Sequence, residues 1–304
     1  MKKIFITGGN GFLGKFLVKY LKNKNYQVTS PSSKNCNLLN DDSLKKFKKK
    51  FDYIFHLAAW TQAGDFCLKY PGEQWIKNQK INTNILTWWK DMQPQAKFIF
   101  IGTSCSYDVN GNFKEDTYLK GDPIESLYTY AYTKRMLLNG AKALQKQYKL
   151  KWLCVVPSTL YGPDYHNDGR QMHFIFDLIR KIILGKRKNY KVTLWGNGNQ
   201  KREIIHVKDF IRNMYLLKNV NNEIINIGSK KDYSIKSYAK MICNIVKYDY
   251  KKIVFDRNKY VGSKRKKLDI NKIQKFIKDY KKNLISEEKG LNEVIEWFQK
   301  NLNF

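Results

Sequence analysis

Residues 102–108 read Gly-Thr-Ser-Cys-Ser-Tyr-Asp. If they leave a strand in extended form, Thr103 and Cys105 point to the same side, and a hydroxyl and a thiol face one pocket. Farther on stands Tyr130-Ala-Tyr-Thr-Lys134. On a helix, Tyr130 and Lys134 are i, i+4 neighbours. A phenol alone titrates near ~10, and a nearby ammonium favours the phenolate and lowers that value. Tyr130 then exchanges a proton with a carbonyl oxygen as hydride moves, Lys134 reaches a nicotinamide ribose, and Thr103 hydrogen-bonds the same carbonyl. Tyr128 and Tyr132 are rivals, but neither has a lysine four residues on. A thiol has no task in such a redox step, so Cys105 points to a second reaction.

Gly8-Gly-Asn10-Gly11-Phe12-Leu13-Gly14 lies between an apolar run, Lys3–Thr7, and a stretch of helical spacing, Phe12–Leu21. Glycines let the backbone turn and approach a pyrophosphate, and the helix N-terminus supplies free N–H groups. The second strand, Tyr26–Ser30, ends in Ser30-Pro-Ser32-Ser33-Lys34, without the acid that holds the ribose 2′-OH of NAD. Ser32, Ser33 and Lys34 suit a 2′-phosphate, which favours NADP(H) over NAD(H).

These groups need a scaffold. Further strands are expected at Tyr53–Leu57, Lys97–Ile101 and Trp152–Val156, with helices at Asp41–Lys50, Pro71–Met92 and Tyr128–Tyr148. Alternating strands and helices imply an α/β fold, a Rossmann-type doubly wound parallel sheet. After Pro157 the loops lengthen, as in Gly162–Gly169 and Gly196–Asn199. We expect residues 1–160 with 203–229 to form the cofactor-binding domain, with Ile224–Ile227 returning to the main sheet. Residues 161–202 and 230–304 are expected to form a smaller C-terminal substrate-binding lobe covered by a helix near Leu284–Leu302.

Composition narrows the classes. The chain has 304 residues, 42% of them hydrophobic, and a formal charge of +31. Lysine supplies 49 of the 57 basic residues and is spread along the chain, with no basic arm, so nucleic acid is not an expected partner. Lys45–Lys50, the densest run, fits the solvent face of a short helix. A positive field would still attract an anionic cofactor and substrate. Five scattered cysteines and four histidines show neither a disulfide framework nor zinc-ligand spacing, so no metal is expected. No apolar run reaches membrane-spanning length and the N-terminal apolar run stops at glycine, so a cytoplasmic protein is expected.

Taken together, Gly8-x-x-Gly11-x-x-Gly14, His56-Leu57-Ala58-Ala59, Thr103, Tyr130-x-x-x-Lys134, Pro157…Leu160-Tyr-Gly-Pro163 and Arg202–Asp209 resemble the extended short-chain dehydrogenase/reductase family over essentially the full length. The resemblance implies a nucleotide-diphosphate-sugar substrate, a homodimer, and cofactor contacts from Leu57, Ala58, Ala59, Pro157 and Leu160 besides the glycine loop. Gly102–Cys105, His173–Arg180, Val192–Gly198, Asn226–Ser229 and Arg265–Asp269 are most similar to members that epimerise and reduce a GDP-4-keto-6-deoxyhexose. It implies that Cys105 and His173 exchange the sugar's C–H protons, and that Arg170, Trp195, Arg202 and Lys266 contact substrate. The chemistry is coherent: a 4-ketone acidifies C3 and C5, and a thiol near ~8.5 and an imidazole near ~6.5 bracket neutral pH. Lys134 would help hold the thiolate. Plainer roles also fit: Cys105 as a small buried residue, His173 as a helix-start or core residue, Trp195 as core, Lys266 as surface.

The sequence departs from that pattern at Thr103, where the family has serine, at Thr159, in the loop Asp164–Met172 that contains Arg170, and at Asn10 in the cofactor loop. A 4,6-dehydratase is disfavoured, because Ser104-Cys105 stand where that subclass carries Asp-Glu. A plain 4-ketoreductase, a UDP-sugar 4-epimerase with tightly held NAD, and a non-catalytic NADP-binding regulator remain as alternatives. The regulator is disfavoured by the intact Thr103, Tyr130 and Lys134 set.

Overall fold

Strands that are apolar without alternation must be covered on both faces. All of Lys97–Ile101 and all but the last residue of Trp152–Pro157 are buried. The computed structural model describes residues 1–259 and 262–302. In chain order come β1 (Lys3–Thr7), α1 (Phe12–Lys22), β2 (Gln27–Thr29), β3 (Tyr53–His56), α2 (Phe66–Lys69), α3 (Pro71–Met92), β4 (Lys97–Ile101), α4 (Tyr128–Tyr148) and β5 (Trp152–Pro157). Then follow β6 (Thr159–Tyr161), α5 (Phe174–Arg187), β7 (Val192–Trp195), β8 (Lys201–His206), α6 (Val207–Leu216), β9 (Glu223–Ile227), β10 (Asp232–Ser234) and α7 (Ile235–Val246). Last are β11 (Ile253–Asp256), β12 (Arg265–Lys266), α8 (Asn271–Phe276) and α9 (Glu287–Asn301).

Among the described residues the main sheet has six strands in the order β2-β1-β3-β4-β5-β9, and every neighbouring pair is parallel. The order reverses at β1, which has β2 on one side and β3 on the other. A crevice opens at such a reversal, beyond the carboxyl ends of the strands. The glycine loop leaves β1 there and Leu57–Ala59 leaves β3. As expected, the Ile224–Ile227 segment returns to this sheet, pairing with β5.

Buried apolar residues form two clusters. One surrounds the main sheet; the other joins α5, α7 and α9, with Ile179, Ile242, Leu291 and Phe298 at its centre. Phe12 packs on both clusters. Among the described residues no helix is long and apolar enough to cross a membrane.

One expected helix does not form. Asp41–Leu44 makes a single 3-10 turn, capped by the Asn40 side chain on the Asp42 N–H, and residues 45–50 are irregular. Lys45, Lys46, Lys48, Lys49 and Lys50 would stack like charges at i, i+3 and i, i+4 on a helix. The backbone instead finds its partners on Gln93. Its buried amide donates to the Phe47 and Lys49 carbonyls, at 3.3 and 3.0 Å, and accepts from the Phe51 N–H at 3.1 Å. Phe47 is thereby set against Phe5, their rings 5.0 Å apart. Replacing Gln93 with Leu leaves these groups without protein partners, each worth about 1–3 kcal/mol when buried. Urea unfolding of Gln93→Leu should show a loss of about 2–4 kcal/mol, with faster hydrogen exchange at Phe51. A midpoint equal to wild type would show that water replaces the amide at no cost.

Candidate active site

Gly8 holds φ +72°, and a Cβ there would lie 2.8 Å from the Ala58 nitrogen. A Cβ on Gly14 would lie 2.2 Å from the Gly8 carbonyl oxygen. Only glycine lets the loop close against the end of β3 and the first turn of α1. Gly11 caps α1 in extended backbone without a side-chain hydrogen bond, so the first N–H groups of the helix, at Phe12 and Leu13, are open to an anion. This cradle fits a dinucleotide pyrophosphate, and Ala58 closes its floor by donating its N–H to Thr7 Oγ1 at 3.3 Å. The Phe12 ring itself turns away, edge-on to Tyr165 and Phe176. Asn10 is exposed at the loop tip. Beyond β2, Ser32 heads a turn, its carbonyl accepting the Asn35 and Cys36 N–H groups, which leaves Ser33 and Lys34 exposed. Leu57, Ala59, Pro157 and Leu160 are half-buried at the strand ends.

Thr103 is extended, but Ser104–Ser106 is a 3-10 turn, which corrects the expectation of a continuing strand. The Thr103 hydroxyl oxygen accepts the Cys105 N–H at 3.2 Å, and its carbonyl accepts the Ser106 N–H at 3.1 Å. The Thr103 N–H in turn donates to the buried Tyr118 hydroxyl at 3.1 Å. Having accepted one N–H, the Thr103 hydroxyl keeps its own proton to donate.

Tyr130 and Lys134 share a face of α4, the ammonium 5.8 Å from the ring centroid. The phenol does not move as the i, i+4 pairing suggested. Burial, then the Cys105 and Cys67 thiols, push its pKa up. Lys134 is buried and its pKa is pushed down to about 8, chiefly by that burial. It does not hold the Cys105 thiolate either; the thiol on which its charge acts is Cys154.

The group beside Cys105 is Lys266, whose ammonium donates to Sγ at 2.9 Å. Burial alone would push the thiol up. The Lys266 charge and hydrogen bond, then the Thr103 hydroxyl and Arg202, outweigh it and lower its pKa. His173 is the N-cap of α5, and its exposed ring makes no capping bond. Its pKa is pushed down, first by the protein that covers part of the ring and then by the positive charge of Lys266 and His166. Cys105 and His173 therefore share one cationic neighbour.

Trp195, at the end of β7, is 57% exposed, which removes the core reading, and the Lys181 ammonium lies over its ring, 6.0 Å from the centroid. Arg202 donates to the Lys201 and Ser263 carbonyls, at 2.9 and 2.8 Å. Arg170 is tied at the surface to Asp168, Nη2 to Oδ2 2.7 Å.

Three residues at this site were not singled out from the sequence. Arg135 donates to the Ser106, Lys120 and Gly121 carbonyls, clasping the turn that carries Cys105 to α4. Glu203 accepts the Leu268 and Lys230 N–H groups, at 2.9 and 2.7 Å. Tyr118 props Thr103. The available signals were a rare arginine beside Lys134 and a carboxylate inside the apolar strand β8.

The chain is 28% identical to the GDP-L-colitose synthase of Yersinia pseudotuberculosis, over 97% of each chain. It is 28% identical to the GDP-L-fucose synthase of Dictyostelium discoideum, over 98% of this chain and 95% of that one. The fold matches a GDP-L-fucose synthetase from Naegleria fowleri bound to NADP, with a TM-score of 0.84 at 24% identity, over 99% of this chain and 94% of that one. The model of the NAD dependent epimerase/dehydratase family matches residues 4–228. With most of its length matched by that model, the chain belongs to the NAD dependent epimerase/dehydratase family.

Proposed function

We propose that this protein is an NADPH-dependent nucleotide-sugar epimerase and 4-ketoreductase acting on a GDP-4-keto-6-deoxyhexose or a related sugar. The observation that carries the reading is a thiol held against a lysine, two residues after a hydroxyl that accepts the thiol residue's N–H. The names of the two relatives, which carry GDP-linked sugars, and the NADP bound to the N. fowleri protein support it.

NADPH, when bound, supplies the hydride for C4. The N–H groups of Phe12 and Leu13 would hold the pyrophosphate, Ser32, Ser33 and Lys34 the 2′-phosphate, and Leu57–Ala59, Pro157 and Leu160 would line the remainder. Lys134 donates to the ribose hydroxyls. Tyr130, kept protonated by its surroundings, gives its proton to the C4 oxygen while Thr103 donates a hydrogen bond to the same atom. Cys105 takes a proton from the carbon beside the ketone, and His173 serves the opposite face. Trp195 stacks on the nucleotide base, and Arg170, Arg202 and Lys266 meet the diphosphate. In this reading the main-sheet core (1–160 with 203–229) is the cofactor domain, and 161–202 with 230–304 the substrate lobe.

We also propose a homodimer formed through α3 and α4, where Trp75, Ile76 and Met136 are exposed apolar side chains on the packed pair. Light scattering should give twice the chain mass; a monomer mass refutes it.

The function is tested with GDP-4-keto-6-deoxymannose and NADPH in heavy water, read by NMR. Oxidation of NADPH with deuterium at C3 and C5 is expected. Oxidation without deuterium would establish a plain 4-ketoreductase. Tyr130→Phe should slow NADPH oxidation by at least about a hundredfold with cofactor still bound. Cys105→Ser should stop deuterium entry and leave some direct reduction; unchanged exchange would make the thiol structural.

A further inference from the structure

We propose that Lys266 is a positioning residue for Cys105: its ammonium pairs with the sulfur and favours the thiolate over the thiol. Cys105 sits on the turn after β4, and Lys266 on β12, 161 positions away in sequence. The contact is therefore made only by the folded chain. At 2.9 Å from Nζ to Sγ the charged donor is in direct contact with the sulfur.

The direction of Lys266 is fixed from several sides. β12 pairs with β8 in parallel, Lys266 opposite Arg202. The Glu203 carboxylate, buried in β8, accepts the Leu268 N–H just past β12, and the Arg202 guanidinium holds the Ser263 carbonyl just before it. Arg265 and Lys267 both reach Asp232, at 2.6 and 3.6 Å. Side chains alternate along a strand, so Lys266 is sent the other way, to Cys105. Its neighbours are thus spent on one carboxylate, while Lys266 meets the sulfur.

Among the described residues, the charged and titratable groups acting on Cys105 come from four elements. Lys266 comes from β12, Arg202 from β8, Tyr130 from α4 and Cys67 from α2. The phenol and the second thiol are neutral in their ordinary forms, so the two cations set the sign. Lys266 hydrogen-bonds the sulfur. The same ammonium lies in the field of His173 and disfavours its imidazolium. That ammonium therefore favours Cys105 as the base, and His173 must take up a solvent proton before it can return one on the opposite face. An ammonium has three donors, so contact with the sulfur leaves two for a bound anion.

The assignment deepens the reading of Cys105 as a proton-exchanging base and rests on it, but the charge pair is measurable without substrate. Iodoacetamide alkylation of the Cys105 peptide, followed by mass spectrometry across pH, reports the thiolate fraction. The wild-type midpoint should lie below the ordinary thiol value near ~8.5. In Lys266→Met it should rise by about 1–3 units, and Lys266→Arg, which keeps the charge, should restore most of the shift. Coincident profiles for wild type and Lys266→Met would overturn the proposal. Should that variant fail to fold by circular dichroism, Lys266→Gln is read in its place. A wild-type midpoint at or above the ordinary value overturns the proposal on its own. With substrate, Lys266→Met should lose deuterium exchange at neutral pH by about tenfold per unit of midpoint shift. A shifted alkylation profile with no exchange even in wild type would leave the charge pair standing and remove the epimerase reading.

Discussion

Two parts of the site come from separate elements, and a single buried side chain ties them. Thr103 and Cys105 lie on the turn that leaves β4; Tyr130 and Lys134 lie on α4. Arg135, next to Lys134, reaches from the helix to the Ser106 carbonyl with Nε at 2.9 Å and to the Gly121 carbonyl with Nη1 at 2.8 Å. It also takes the Lys120 carbonyl. A guanidinium presents five donors in a rigid plane, which an ammonium on a flexible stem does not. In a chain that uses lysine for 49 of its 57 basic residues, arginine stands where a planar fork must span three carbonyls. Ser106 adds a bond to the Ala131 carbonyl, 3.2 Å away on the same helix. Hydrogen bonds from a charged donor are worth about 1.5–3 kcal/mol each, enough to hold the turn in register with the helix.

The cofactor half of the molecule was legible because its signals are local. Continuous apolar runs such as Lys97–Ile101 mark strands covered on both faces, and the glycine loop sits between a strand and a helix. Pro71–Met92 and Tyr128–Tyr148 begin and end where the pattern placed them. The misreadings are also local. Asp41–Lys50 has helical spacing, but a run of lysines and the distant Gln93 side chain decide its backbone. Thr103–Cys105 looked extended because it follows a strand, yet the Thr103 hydroxyl captures the Cys105 N–H and turns the chain. Neither partner can be read from spacing.

The two lysines carry the larger lesson. Lys134 lies one helical turn after Tyr130 and was expected to serve both Tyr130 and Cys105. Burial weakens its charge, and it acts on Cys154, behind the site. The cation at Cys105 arrives from β12: the resemblance marked Lys266 for the substrate, but nothing in a chain with 49 lysines pointed it at the thiol. What distinguishes it is strand alternation against an acid: Asp232 takes Arg265 and Lys267, and the residue between them must face the opposite way.

This arrangement separates two kinds of chemistry by origin in the chain. Thr103, Tyr130 and Lys134 all come from β4, its turn and α4, within the segment that also builds the dinucleotide cradle. The environment that charges Cys105 comes from β8 and β12, beyond residue 200, and so does the cation acting on His173. A redox step can therefore keep its geometry while the strand carrying Lys266 changes. The proton exchange proposed for Cys105 would not, because its base would depend on a charge delivered from the far end of the chain. Loss or drift of the β12 pairing would leave a reductase with an ordinary thiol beside its hydroxyl, a physical route from one activity to the other within a single fold.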